Sequence, residues 1–410
     1  MTAAALTSPD ASPPRPRLPS RVKHEREAVE RYPSLAPTFL SGLWRTDPLA
    51  DDVARVLADD PSGARWGELQ RACRDGLWRA ETPAIRRLLD DAQQAPAWLD
   101  PDAAERGGRV LVRRGPVGGM LLGAALITGY AAPAGNKPLV LTGALTRSTQ
   151  RRINETARFV EAVTAPGGSR PFAEGWAITL KVRVMHARVR LLCLDSGRWD
   201  DAAWGHPINQ HDMLSTILLF SAFILEGFHT FGVPATPAEE ADAMHLWSWV
   251  GHVIGVDPAL LPLDVARGKA YADLLKLTQD PPDDDSRALT EAFVNAPLKT
   301  ADTSTPRARE TLERRVALSH GILRGLMGDE LADGLGLAHN RYRHVVPVTA
   351  KALRRLAPLL RGPAADALSS RIGRRYWDKM MEIVLAEGTP TFAPPSALHG
   401  VRAQAGTDAR

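Results

Sequence analysis

The histidine at position 186 stands in a run of residues whose types and spacing could hold a metal. From Gly175 to Cys193 the chain reads GWAITLKVRVMHARVRLLC, 19 residues without a proline, aspartate or glutamate. Ile178, Val182, Met185, Val189 and Leu192 recur at steps of four, three, four and three, the period of one helix face. His186 lies on that face, and Arg183 and Arg190, three before it and four after, are its neighbours one turn away. An imidazole in an apolar stripe with a guanidinium on either side suits an iron porphyrin: the imidazole for the iron, the arginines for the two propionate carboxylates. The same residues also suit a core helix whose histidine hydrogen-bonds to a carbonyl and whose arginines pair with acids.

A second helix able to carry chemistry opens near Ser148 or Thr149 and turns Ile153, Val160 and Val163 inward. Thr156 shares that face, with Arg152 four residues before it and Glu155 beside it. Either these polar groups face the core, or they lie at the edge of an amphipathic helix and reach water. Glu226 and His229 form one Glu-x-x-His step on an apolar helix. A di-iron carboxylate bundle needs two such steps, so the single one also reads as the polar end of a core helix. GPVGGMLLG at 115–123 has glycines but neither a preceding strand nor a following Gly-Lys-Ser/Thr, which points to close helix packing and away from phosphate binding.

The elements that must position these residues are helices. Asp47 before Pro48, Thr82 before Pro83, Thr236 before Pro237 and Thr305 before Pro306 each set a capping side chain ahead of a proline at the first helical position. Strand alternation is sparse, so the chain is read as all-α. Its 410 residues, 44% hydrophobic, are enough for one large core. Met1 to Ser20 carries five prolines among small polar residues, giving an expected disordered leader over 1–25, a single helical domain over 26–387 and a Pro-rich flexible tail over 388–410. The small excess of 51 basic over 47 acidic residues, spread along the chain, argues against a nucleic-acid partner. Two cysteines without metal-type spacing or CxxCH give no support to structural zinc or covalently attached c-type haem. The longest apolar runs, Val117 to Ile127 and Met213 to Leu225, have 11 and 13 residues, short of the ~20 of a bilayer-spanning helix. With no signal-peptide pattern and two thiols, a cytoplasmic location is expected, without an integral membrane segment.

RRINETARFV at 151–160, GWAITLKVRVMHARVRLL at 175–192, PINQHDMLSTIL at 207–218 and WSWVGHVIGVDP at 247–258 together resemble the latex-clearing-protein family of rubber oxygenases and its relatives. That broader group includes the fungal oxygenase that trims the farnesyl chain of a mycophenolic acid precursor. The resemblance runs from about Tyr32 to Asp264, and more weakly to about Pro358. It implies a globin-like helical core with additional helices and a b-type haem with His186 as proximal ligand. Arg183 and Arg190 would be the basic residues flanking that ligand, and Arg152 and Thr156 polar residues of the distal-side helix. Trp249 and His252 also match, in a supporting role.

The chain departs from the family at two positions that bear on chemistry. Rubber oxygenases carry a lysine where this chain has Glu155, and a glutamate upstream that is proposed to act as a base. Here no Asp or Glu occurs from Arg106 to Asn154, and the expected place falls near Asn136, whose amide cannot accept a proton at neutral pH. Glu155 is then the first acidic residue available for proton transfer. The expectation is a haem b oxygenase acting with O2 on a small apolar, lipid- or terpenoid-like molecule other than rubber. A non-catalytic haem sensor or carrier and a di-iron oxidase are the alternatives.

Overall fold

All regular structure among the described residues is helical. The computed structural model describes residues 17–143, 149–296, 298, 305–356, 362–386, 388, 390–395 and 397–398. Helix starts follow the local signals. Asp47 caps Pro48–Ala58 by accepting from the Ala50 N–H, Thr305 caps Pro306–Met327, and Thr236 with Glu239 closes a reciprocal capping box on Pro237–Val253. Thr82 is the exception. Its hydroxyl oxygen accepts from Arg65 Nη1 at 3.0 Å and its hydrogen goes to the buried carboxylate of Glu68 at 2.7 Å, which also accepts the N–H groups of Glu81 and Thr82, so the side chain is turned away from the first turn of Pro83–Gln93 and does not cap it.

The centre of the molecule is the 22-residue helix Glu174–Asp195. On one side it meets Pro48–Ala58, with Ala64–Asp75 and Pro83–Gln93 completing that layer. Val53, Ile85 and Leu88 from this layer pack with Trp176, Leu180 and Val184 of the central helix and with Trp249. Each such aliphatic side chain stabilises the fold by roughly 1.5–3 kcal/mol when fully buried. On another side lies Thr149–Thr164, the helix expected to open near Ser148 or Thr149. A larger core sits among Pro101–Arg113, Gly115–Gly129, Gln210–Phe220, Ala222–Thr230 and Pro237–Val253, around Leu121, Leu214, Phe228 and Leu246.

Close approach of backbones sets this larger core. A Cβ at Gly107 would lie 2.2 Å from the carbonyl oxygen of Asp242, so only glycine lets Pro101–Arg113 seat against Pro237–Val253. Three of the glycines of 115–123 serve packing in the same way, Gly115 against Gly373, Gly118 against Leu111 and Gly119 against the hydroxyl of Tyr376, whereas a Cβ at Gly123 would meet nothing within 4 Å. Gln210–Phe220 and Ala222–Thr230 run on as a 21-residue segment, longer than its charge-free run suggests and apolar enough by composition to cross a membrane. In its most apolar window 61% of the residues are buried within the protein.

A few described residues outside the expected domain of 26–387 pack against it. Residues 1–16 lie outside the described residues, but the rest of the expected leader packs, because Arg21 is buried and grips Asp212 with two hydrogen bonds of 2.8 and 2.9 Å. Within the expected flexible tail Phe392 is buried beneath the Lys181 ammonium, and Leu398 packs on Leu141 and Cys193.

Gly107→Ala gains about 1 kcal/mol of helix propensity, yet we expect a net loss of about 1–3 kcal/mol from overpacking. A urea midpoint equal to or above that of the wild type would contradict the close approach.

Candidate functional site around His186

The two arginines flanking His186 are fully engaged by the protein. Arg183 is buried and donates from Nε and Nη2 to Asp47 at 2.6 and 3.0 Å, and from Nη1 to Asp91 at 3.2 Å and to the Val253 carbonyl at 3.3 Å. Arg190, also buried, donates from Nε to the Pro207 carbonyl at 3.1 Å, from Nη2 to the Ile208 carbonyl at 2.8 Å and from Nη1 to Asp51. Asp47 and Asp51 sit one turn apart at the start of Pro48–Ala58, so a single helix terminus holds both guanidinium groups. The surroundings are built for this clamp. Gly255 has φ +94°, and a Cβ there would lie 2.2 Å from Asp47 Oδ2 and 2.6 Å from Arg183 Nε. Ile208 takes the left-handed region at φ +47°, a strain of about 1–3 kcal/mol for a β-branched residue, and its carbonyl meets Arg190. Arginines expected to await carboxylates of a cofactor thus already hold carboxylates of the protein.

His186 lies at the border of this clamp. Arg183, Val184, Ala187 and Arg190 are buried, whereas Val182, Met185, Val189 and Leu192 are only partly covered, so the helix turns a half-open apolar face away from the ion pairs. The imidazole Nδ1 is enclosed and has no hydrogen-bond partner. Burial first, then the charges of Arg190 and Arg152, push the ring down to about 4 against the opposing pull of Asp47. At neutral pH it is an uncharged imidazole, the form that binds metals. Arg152, on Thr149–Thr164, is within electrostatic reach of both His186 and the buried Tyr130. Thr156 is half-buried one turn further along the same helix.

Residues 112–362 match the protein family described as "ER-bound oxygenase mpaB/B'/Rubber oxygenase, catalytic domain". The chain belongs to this family. It is 26% identical over 262 residues to a rubber oxygenase of Streptomyces sp. (strain K30), covering 62% of this chain and 60% of that protein's length. It also resembles a solved structure of latex clearing protein LCP in the closed state, with a TM-score of 0.63 and 21% identity over 85% of this chain and 93% of that one, a likeness of fold. The helices carrying His186 and Arg152 both fall inside the span matched to the mpaB and rubber oxygenase family. Asp47 and Asp51 lie before it.

Family membership gives the remaining candidates a frame. Trp249 stacks on His252 at 5.5 Å and donates from Nε1 to the Ser169 carbonyl, so this pair packs behind the Arg183 side of the central helix. Glu155 accepts from Arg151 Nε at 2.8 Å, one turn back on its own helix, while Arg158 pairs with Glu161 and Glu174. Asn136, near the place of the family's upstream glutamate, is buried and donates to the Tyr130 carbonyl at 2.7 Å and to Ser286 Oγ at 3.4 Å, a structural role. Glu226 is exposed and His229 pairs with Glu240 at 2.5 Å. Among the described residues no three His, Cys, Asp or Glu side chains come together as a metal site, so the di-iron alternative has no ligand set there. Sequence reasoning missed the second role of Asp47, whose capping signature hid its ion pair, and missed Tyr130, which carries no motif.

Asp47→Ala leaves Arg183 without its bidentate partner in a buried setting, so unfolding free energy should fall by about 3–5 kcal/mol. A urea midpoint within error of the wild type would contradict the clamp. In metal-free protein, the His186 pKa of about 4 lies below the 6.5 of the unfolded chain. Between those values the unfolded state binds a proton that the native state does not. The contribution of His186 to stability is therefore full above pH 6.5 and falls by about 3 kcal/mol as pH drops toward 4. His211, pushed down by its own burial, adds a separate acid-side loss. His186→Gln should flatten this part of the stability profile, and an unchanged slope would show that the ring titrates normally.

Proposed function

We propose that this chain is a haem b-dependent oxygenase acting with O2 on a small apolar, lipid- or terpenoid-like molecule, with His186 as the axial ligand of the iron. The observation that carries the reading is the state of His186: neutral, enclosed at Nδ1 without a protein partner, and bordering an apolar face that the protein leaves partly uncovered. Family membership supports the oxygenase class. Bound there, haem would supply an iron able to bind and activate O2.

The chain's own residues supply position and environment. The Asp47 and Asp51 clamp fixes the rotation of the central helix, and through it the direction of the imidazole. Val182, Met185 and Val189 offer an apolar surface that excludes water and suits a hydrocarbon. Arg152 brings positive charge toward the imidazole, and Thr156 adds a hydroxyl on the same helix. Glu155, largely covered and steadied by Arg151, is the carboxylate proposed to hold or release the proton. Since Glu155 replaces the lysine of rubber oxygenases and Asn136 stands near their glutamate, the substrate is proposed to differ from rubber. Two free, buried cysteines, each thiol pushed up to about 12, fit action in the reducing cytoplasm.

Protein purified from iron-sufficient cells should show a Soret band with one haem per chain, and His186→Ala should lose stoichiometric haem. A full band of unchanged position in that variant would move the ligand elsewhere. Glu155→Gln should keep haem and slow turnover about 100- to 10,000-fold. Wild-type rate and pH profile in that variant would leave Glu155 as a helix-surface ion pair only.

A further inference from the structure

We propose that the cleft between the helices Pro306–Met327 and Val345–Leu356 is a second binding site, for an amphiphilic anion with a carboxylate or phosphate head and an apolar chain. The cleft encloses about 560 Å³, within the range of small-molecule sites. No residue that lines it belongs to the helices carrying His186 or Arg152.

Its polar lining is built from arginines in two states. Arg324 is 2% exposed and fixed by Asp329 at 2.9 Å, Asp333 at 2.6 Å and the Leu337 carbonyl, while its Nε is enclosed without a partner. Arg343 and Arg354 stand at the exposed rim. Arg354 donates from Nη2 to the His229 carbonyl at 3.2 Å, and Arg343 Nη1 lies 3.9 Å from Asp329. A guanidinium has five N–H donors, so both keep donors for a ligand. Three arginines against Asp329 give the cleft a net positive lining.

The surrounding sequence reinforces this field, with ten Lys and Arg against three Asp and Glu between 341 and 386, in a chain whose totals are 51 and 47. The rest of the lining includes an apolar wall of Val346, Pro347 and Ala350 on the same helix as Arg354. A bare phosphate would leave this wall wet and an alkane would leave the arginines unmatched, whereas an amphiphile satisfies both.

The test is calorimetry of the purified full chain with decyl phosphate at low salt. Decyl phosphate should bind at micromolar concentration, with inorganic phosphate and decanol each at least tenfold weaker. The double variant Arg343→Ala, Arg354→Ala should weaken binding at least tenfold while keeping the wild-type thermal midpoint and haem content. Decanol binding as tightly as decyl phosphate, or an unaffected double variant, would overturn the site. A sedimentation arm separates the sources of the head group. Capture by phosphatidic acid vesicles but not phosphatidylcholine vesicles, lost in the double variant, assigns a lipid still in its bilayer. Decyl phosphate binding without capture assigns a free amphiphile, and the absence of both signals overturns the proposal.

Discussion

Burying a guanidinium is costly unless a carboxylate accompanies it, and the molecule buries two on one helix, so the position of Glu174–Asp195 follows from where Asp47 and Asp51 can reach. Those acids stand one turn apart on Pro48–Ala58 and hold arginines seven residues apart on the central helix. A rotation of either helix would strand a charge in a dry interior. The clamp draws in the loops as well. Gln210 donates to the carbonyls of Thr46 and Gly255 and accepts from the Asp257 N–H, tying the start of Gln210–Phe220 to the segments before Pro48–Ala58 and after Pro237–Val253.

That constraint converts an ordinary helical histidine into a defined one. With the arginines turned toward Asp47 and Asp51, the imidazole is left between a charged, closed side and an apolar, half-open side. Burial, and after it the nearby positive charges, keep it neutral, which preserves a lone pair. The same geometry explains why the segments 207–218 and 247–258 accompany the His186 helix: Pro207, Ile208, Val253 and Gly255 all line the clamp.

Much of this was legible in the sequence because helices announce themselves locally. The apolar stripe, the flanking arginines and the caps at Asp47, Thr236 and Thr305 all depend on residues within a few positions of one another. What Arg183 and Arg190 hold was not legible, since their partners lie 136 and 139 residues away and no periodicity links them. Glu155 shows the local limit: Arg151, Arg152 and Arg158 all lie within one turn, and rotamer choice, which pattern does not record, gave it Arg151. Composition does not locate single anchors such as Arg21, Phe392 and Leu398, which are buried among the described residues toward either end.

The central claim is that the imidazole of His186 itself, and not merely its helix, holds the iron of a haem. Replacing it with His186→Gly removes the ring while leaving space where a free imidazole can enter. Titrating that variant, reconstituted with haem, with imidazole while recording the absorption spectrum tests the claim most directly. The account predicts weak haem retention without imidazole and saturable recovery of the wild-type spectrum with it. A wild-type spectrum and haem content without imidazole would contradict it.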